Sequence, residues 1–332
     1  MNEPFFKLRN WIDENKLDWK LLSFNTKAIQ LIENNLDKIC WHNLSFNIKA
    51  ISILNKHLYK INWRSLAFNK NAIELLKENP DKINWYGLSF NSEAHELLLN
   101  NLNKINGFGL SSSNENSKIL DFLAENLNLI NWYYLSTNTN DKAIEILEKN
   151  IDNINWDKFS CNTNDKALDI LINNIKMINW DKLSGNTNDK ALGLLIKNPH
   201  KINWNKLSSN TNNKALELLE KNPHKINWDK LSGNINNKAI ELLEKNQDKI
   251  NWIELSGNTN DKALELLEKN QDKIDWNIFS TNSSIFIYDY LKMKDNFQDL
   301  RDEIISKALH PNRIFKLMKD YGKNEVLKAY FH

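Results

Sequence analysis

His200 and His224 stand in the same local setting, Asn-Pro-His-Lys, 24 residues apart. Two such imidazoles, stacked, could share a metal ion. Pro199 and Pro223 place them in a turn, and sibling segments carry Asp in that slot, as at Asp248 and Asp272. Ser136, Ser160, Ser184 and Ser208 recur with no His in step, so a turn hydrogen bond explains them better than a nucleophile. The Gly-Phe-Gly-Leu at 107–110 is not followed by the Gly and Lys of a phosphate loop. Cys40 and Cys161 make neither a ligand pair nor a disulfide framework. Glu217, Glu220 and Lys221 form a mixed-sign solvated stripe, without the pocket that acid–base carboxylates need. These residues predict no catalytic, cofactor-binding or metal site, and a protein that is not an enzyme.

Two residue sets remain, and both suit recognition. Lys166, Lys190, Lys214, Lys238 and Lys262 repeat in register, as do Lys158, Lys182, Lys206 and Lys230. Stacked about 10 Å apart, such ladders could meet phosphates. Asp165, Asp189 and Asp261 sit beside the first, and Asp157, Asp181 and Asp229 beside the second. The 44 basic and 42 acidic residues leave a net charge of only +2. A dedicated nucleic-acid binder carries a basic excess, so nucleic-acid association is the alternative reading. The other set is Arg64, Tyr86, Tyr133 and Tyr134, at positions that vary most between segments. Tyr and Arg anchor interfaces, and these four are the candidate contacts for a protein partner.

An internal repeat must position them. Trp19, Trp41, Trp63 and Trp85 are spaced by 22 residues; Trp132, Trp156, Trp180, Trp204, Trp228, Trp252 and Trp276 by 24. Gly107 takes the place of a missing Trp, which makes twelve units. In the unit from Trp180, Leu183 follows on a short helix A, and Ala191, Leu192, Leu194 and Leu195 form the apolar stripe of a helix B. Only 8 Gly and 5 Pro are present, which argues against an all-β chain. The expected fold is an all-α solenoid of twelve helix-turn-helix repeats of 22–25 residues. It should form a curved rod, with the tryptophans buried as core wedges. No apolar run reaches the roughly 18 residues of a membrane helix, and no signal peptide is evident at the N-terminus. The expectation is a cytoplasmic protein with no membrane contact.

Asn or Asp precedes the marker in eleven of the units, Cys40 being the exception, and suits the N-cap of helix A. Asn25, Asn47, Asn69, Asn91, Asn116, Asn140, Asn164, Asn188, Asn212, Asn236, Asn260 and Asn282 each stand three residues before the first core residue of helix B, and are expected to cap it. Asn150, Asn174, Asn198, Asn222, Asn246 and Asn270 close helix B, where Asn tolerates the left-handed conformation. Residues 1–18 should form an N-terminal cap, with Phe5, Phe6, Leu8, Trp11 and Ile12 as an apolar lid. The repeats should span 19–282 and a helical C-terminal cap 283–332. That cap should hold helices over Ile285–Lys292, Asp299–Leu309, Pro311–Asp320 and Asn324–Phe331. The irregular unit over 107–131 is expected to change the curvature, with Phe108 filling part of the gap.

The segments INWDKLSGN and KALELLEKNPHK resemble the tandem W-x-x-L-S-x-N repeats in proteins of nucleocytoplasmic large DNA viruses, the mimivirus-like giant viruses. LRNWIDENKLDW at 8–19 is similar to the entry of those arrays, and ISKALHPNRIFKLMKDYG at 305–322 to a C-terminal motif of viral repeat proteins. The NTND turns depart from the Asn-Pro usual in those units. The resemblance implies a viral repeat protein, in the host cytoplasm or the virion, with no catalytic residues to carry over. The expected function is a non-enzymatic scaffold or adaptor for host or viral proteins.

Overall fold

The repeat builds itself from local hydrogen bonds. In the unit from Trp180, Asn179 caps helix A (Trp180–Leu183), its Oδ1 accepting from the Lys182 amide at 3.0 Å. Asn188 caps helix B (Asp189–Lys197) by accepting from the Lys190 amide at 2.8 Å. A 3-10 turn, Pro199–Lys201, then leads to the next cap, Asn203. In the shorter unit from Trp63, a 3-10 turn (Lys70–Ala72) opens helix B (Ile73–Glu78). The computed structural model describes residues 5–105, 107–112, 117–323 and Val326. The expected cap Asn116, the Phe108 side chain and, Val326 apart, the expected helix over 324–331 lie outside the described residues. The chain divides into two bodies, residues 10–285 and residues 1–9 with 286–332.

The twelve-Asn series proves to be two kinds of residue. Asn140, Asn164, Asn188, Asn212, Asn236 and Asn260 cap helix B directly. Asn25, Asn47, Asn69 and Asn91 lie buried six residues after the marker and cap the turn that leads into helix B, accepting from the amides of Lys27, Lys49, Asn71 and Glu93, while the α-helix itself starts behind Ala28, Ala50, Ala72 and Ala94. Asn282 is buried in the same way. Their counterparts in the 24-residue units are Asn138, Asn162, Asn186, Asn210, Asn234 and Asn258, also buried. The two extra residues follow this buried Asn, so counting back from helix B conceals the equivalence. The asparagines that end helix B are not left-handed either. Asn198 holds φ at −131° and its Nδ2 donates to the Leu194 carbonyl at 2.9 Å. Asn150, Asn174, Asn222, Asn246 and Asn270 do the same. The side chain satisfies an orphan carbonyl of the last turn, so no strained backbone is needed.

Buried polar groups join the units. Ser184 Oγ donates to the Trp180 carbonyl at 2.8 Å and accepts from the Asn203 amide of the next unit at 2.9 Å. Asn186 Nδ2 donates back to the carbonyls of Ser160 (3.2 Å) and Asn162 (2.9 Å), while its Oδ1 accepts from the Asn188 amide (3.0 Å). The same bonds join the twelfth unit to the first. The Asp18 amide donates to Ser280 Oγ at 2.8 Å, and Asn25 Nδ2 to the carbonyls of Ser280 and Asn282 at 3.4 and 3.1 Å. Helix A of the first unit, Trp19–Leu22, packs on that of the twelfth, Trp276–Thr281. Lys16 Nζ lies 5.0 Å from the Trp276 ring, as Lys38 lies 4.6 Å from Trp19 and Lys273 4.5 Å from Trp252. The array is therefore a closed ring and not an open rod. Within it, residues 10–18 are no end cap: Glu14–Lys16 supply the 3-10 turn that completes the twelfth unit. A ring of twelve units requires a turn of about 30° per unit. The irregular unit does not interrupt the array, since the Asn131 amide donates to Ser111 Oγ at 2.8 Å.

The core lies between helices A and B. Leu183, Ser184, Asn186, Ala191, Leu192 and Leu195 are fully or almost fully buried; in the shorter units the counterparts of Leu192, Ile29, Ile51, Ile73 and His95, are half-buried. The marker tryptophans are not core: Trp19, Trp41, Trp63, Trp85, Trp132, Trp156, Trp180, Trp204, Trp228, Trp252 and Trp276 are all half-buried. An indole is too large for the space between closely packed short helices, so it lies along the edge. There, a lysine ammonium covers the ring in several units, a cation–π arrangement. Gly193 sits mid-helix with open space where a Cβ would go. Gly193→Ala should raise stability by about 0.5–1 kcal/mol through helix propensity alone, read as a higher urea midpoint.

In the other body, β1 (Phe6–Leu8) pairs antiparallel with β2 (Phe286–Tyr288), Phe6 opposite Tyr288, their rings 5.1 Å apart. The helices expected over Ile285–Lys292 and Asp299–Leu309 are replaced by this strand and one continuous helix, Tyr290–Ala308. A strand three residues long has too few side chains to show alternation, and its partner is remote in the chain. The next helix, Pro311–Tyr321, starts at Pro311 as expected and ends at Gly322, whose φ of 89° suits glycine.

Candidate interaction surface

Helix A turns the residues three and four places after its marker Trp toward the core. The residues one and five places after the marker share the opposite face. In the first four units the fifth place is Phe24, Phe46, Phe68 and Phe90. Their ring centroids are 6.0, 5.8 and 6.0 Å apart and successive planes differ by 38°, 36° and 27°. Phe24 and Phe68 are 40% and 37% exposed, so the ladder is open to solvent. In a ring, equivalent atoms are spaced in proportion to their distance from its axis. Packed helices stand about 8–10 Å apart; rings near 6 Å apart have converged, which puts the ladder on the concave side. The sequence reading passed over it, although the recurrent Phe of Leu-Ser-Phe-Asn carried the signal.

At several joints the fifth place of one unit packs on the second place of the next. An added Cβ at Gly87 would stand 2.8 Å from Phe68 Cε2, and one at Gly257 3.2 Å from Ile278 Cγ2. Sizes exchange across this joint. Phe68 faces Gly87, and the second places that follow the other three phenylalanines, Asn43, Ser65 and Gly109, are likewise small or short. In the longer units Thr137, Cys161, Gly185 and Ser209 are followed by Lys158, Lys182, Lys206 and Lys230, while Gly233 and Gly257 face Glu254 and Ile278. Gly87→Lys should therefore destabilise by about 1–3 kcal/mol through overpacking. Adding Phe68→Thr should restore about 1 kcal/mol or more of that loss, a coupling that a double-mutant cycle measures.

The four aromatic and basic candidates do not form one patch. Tyr86, 53% exposed, meets Phe90 edge-on at 5.4 Å and so extends the ladder. Arg64 is exposed on the preceding unit, one turn of helix from Phe68. Tyr133 and Tyr134 form a separate pair, centroids 5.2 Å apart, with Lys158 Nζ 4.6 Å from the Tyr133 ring. The irregular unit stands between the two groups. His42, not singled out by sequence, meets Phe46 at 5.6 Å and Ser65 Oγ at 3.1 Å.

The first Lys ladder is ion-paired from unit to unit. Lys166 meets Asp141 and Glu145, Lys190 meets Asp169, Lys214 meets Asp189, Lys238 meets Glu217 and Lys262 meets Glu241, at 2.6–3.2 Å. Hydrogen bonding to these lysines holds the Glu217 and Glu241 carboxyls below the ordinary carboxylate range. By contrast, among the described residues neither Lys20 nor Arg64 is ion-paired. His200 and His224 are exposed in 3-10 turns. Among the described residues no group of three His, Cys, Asp or Glu side chains is placed to hold a metal, and no helix is long and apolar enough to cross a membrane.

Fold and surface together define an all-α solenoid of tandem Trp-marked repeats, closed upon itself. No family model, curated protein or solved structure matches the chain.

Proposed function

We propose that this protein is a non-enzymatic scaffold that presents its helix A face to other proteins. The observation that carries this reading is a frame that recurs nearly unchanged, Ala67 and Ser113 being its exceptions, with a varying surface. The buried Ser and Asn bonds recur around the ring, while the exposed place after the marker runs through Lys20, His42, Arg64, Tyr86, Tyr133 and Asp157. A closed ring also holds that surface in fixed geometry, which lowers the ordering cost of binding. The alternative, phosphate contact through Lys166, Lys190, Lys214, Lys238 and Lys262, is disfavoured by their ion pairs. The resemblance of the repeat to giant-virus arrays supports a setting in the infected host cell or the virion.

Affinity capture from host lysate, with and without nuclease and at two salt concentrations, tests the reading. A reproducible protein partner that survives both treatments is the expected result. Recovery of nucleic acid, with proteins lost on nuclease or salt treatment, would establish the alternative instead.

A further inference from the structure

Phenylalanine is not demanded by the joint it fills. In the longer units Lys206 approaches the equivalent joint at Gly185 from the other side, and Lys158, Lys182 and Lys230 hold the same place after Thr137, Cys161 and Ser209. The first four units thus expose an apolar stripe where the fold accepts a polar one. One turn of helix away runs a basic row, Lys20, His42 and Arg64, all exposed. No acid occupies the first, second or fifth place in these four units. In the longer units Asp157, Asp181 and Asp229 hold the first place beside the lysines.

We infer that this arc is a docking site for an extended peptide segment that carries alternating acidic and apolar side chains. The inference rests on the scaffold reading and names the chemistry of the partner. Three features select it. The exposed rings offer apolar burial, worth about 25 cal/mol per Å² removed from water. Among the described residues the Lys20 ammonium and the Arg64 guanidinium meet no carboxylate, so both are open to an acid of the partner. The spacing also fits: alternate side chains of an extended chain recur about every 6.6 Å, close to the 5.8–6.0 Å between rungs. Single-stranded nucleic acid suits the site less well. Base stacking needs open ring faces, and these rings lie against one another.

The test measures fluorescence anisotropy of the whole protein with a short labelled peptide of alternating Asp and Leu. The comparison probes are a Lys-Leu peptide, a Glu-only peptide and a single-stranded oligothymidylate. Wild-type protein should bind the Asp-Leu peptide, and Lys20→Glu with Arg64→Glu should weaken it about tenfold or more. Both residues are exposed, and an unchanged thermal melt would confirm that the frame is intact. Phe46→Thr with Phe68→Thr should weaken the Asp-Leu peptide and leave the weaker Glu-only binding alone. Asp181→Arg, in the longer units, should leave all binding unchanged. Equal binding of the Lys-Leu peptide or tighter binding of the oligothymidylate would overturn the inference, as would full binding by the Glu variant. A protein partner still captured by that variant, in excess Asp-Leu peptide, would sink this site and leave the scaffold reading standing. The scaffold reading fails separately, if wild-type protein captures no protein partner.

Discussion

Asn186→Ala should lower stability by about 3–5 kcal/mol, several times the effect of Asn188→Ala two residues on. Asn186 is buried, and its loss strands the carbonyls of Ser160 and Asn162 and the amide of Asn188 together. Each buried group left unsatisfied costs about 1–3 kcal/mol. Asn188 is an N-cap at a partly exposed site, and the bonds of its Nδ2 to the Thr163 carbonyl and Asp165 are exposed, so water can replace them and its loss costs about 1 kcal/mol. Asn186→Asp separates hydrogen bonding from volume. It keeps the shape but turns a donor into an acceptor facing two carbonyls, so it should be at least as damaging as Ala. Urea unfolding of the three variants checks this. Similar midpoints for Asn186→Ala and Asn188→Ala would show that the buried series does not hold the stack together.

Asn25→Ala should open the ring, and Asn47→Ala should not. The two side chains make equivalent bonds to the preceding unit. Behind Asn47 the chain runs directly from one unit into the next. Behind Asn25 the neighbour is the twelfth unit, and the donor and acceptor are 255 and 257 residues apart in the chain. The same loss of about 3 kcal/mol or more weakens both joints, but only at the seam can the units separate. Small-angle scattering should show a larger radius of gyration for Asn25→Ala and an unchanged one for Asn47→Ala. Hydrogen exchange should accelerate first in Trp19–Leu22 and Trp276–Thr281, the helices that face each other across the seam, because local opening follows the weakest interface. Scattering from wild-type protein that fits an open rod would refute closure outright.

Much of this was readable beforehand because it is local. The period of the tryptophans, the apolar stripe Ala191, Leu192 and Leu195, and the caps Asn179 and Asn188 all act within a few residues of themselves. Hydrogen bonds and helical periodicity at that range are written directly in the order of residues. The candidate surface was legible only in part. Tyr86 and Arg64 stood out by type, whereas Phe24, Phe46, Phe68 and Phe90 looked like ordinary turn residues until the units stacked. Trp180 and its equivalents were misplaced for the opposite reason. A large apolar residue in perfect register suggests a core, but the core positions are filled by Leu or Phe three places on and by Ser or Ala four places on, and the indole is left half-buried at the edge.

By itself, the sequence determined that this protein is a tandem array of short helix pairs, where the helices of the longer units begin, and how many units there are. Only the tertiary structure decided that the array closes, that Asn186 and its equivalents bind unit to unit, and that Phe24 to Phe90 face the axis. The reason is cumulative. Closure depends on the sum of twelve rotations of about 30° each, and a few degrees per unit would give an open superhelix instead. No single unit carries that sum. It emerges from how the joints between successive units are filled, as by Phe68 against Gly87 or Ile278 against Gly257, contacts between residues some twenty places apart.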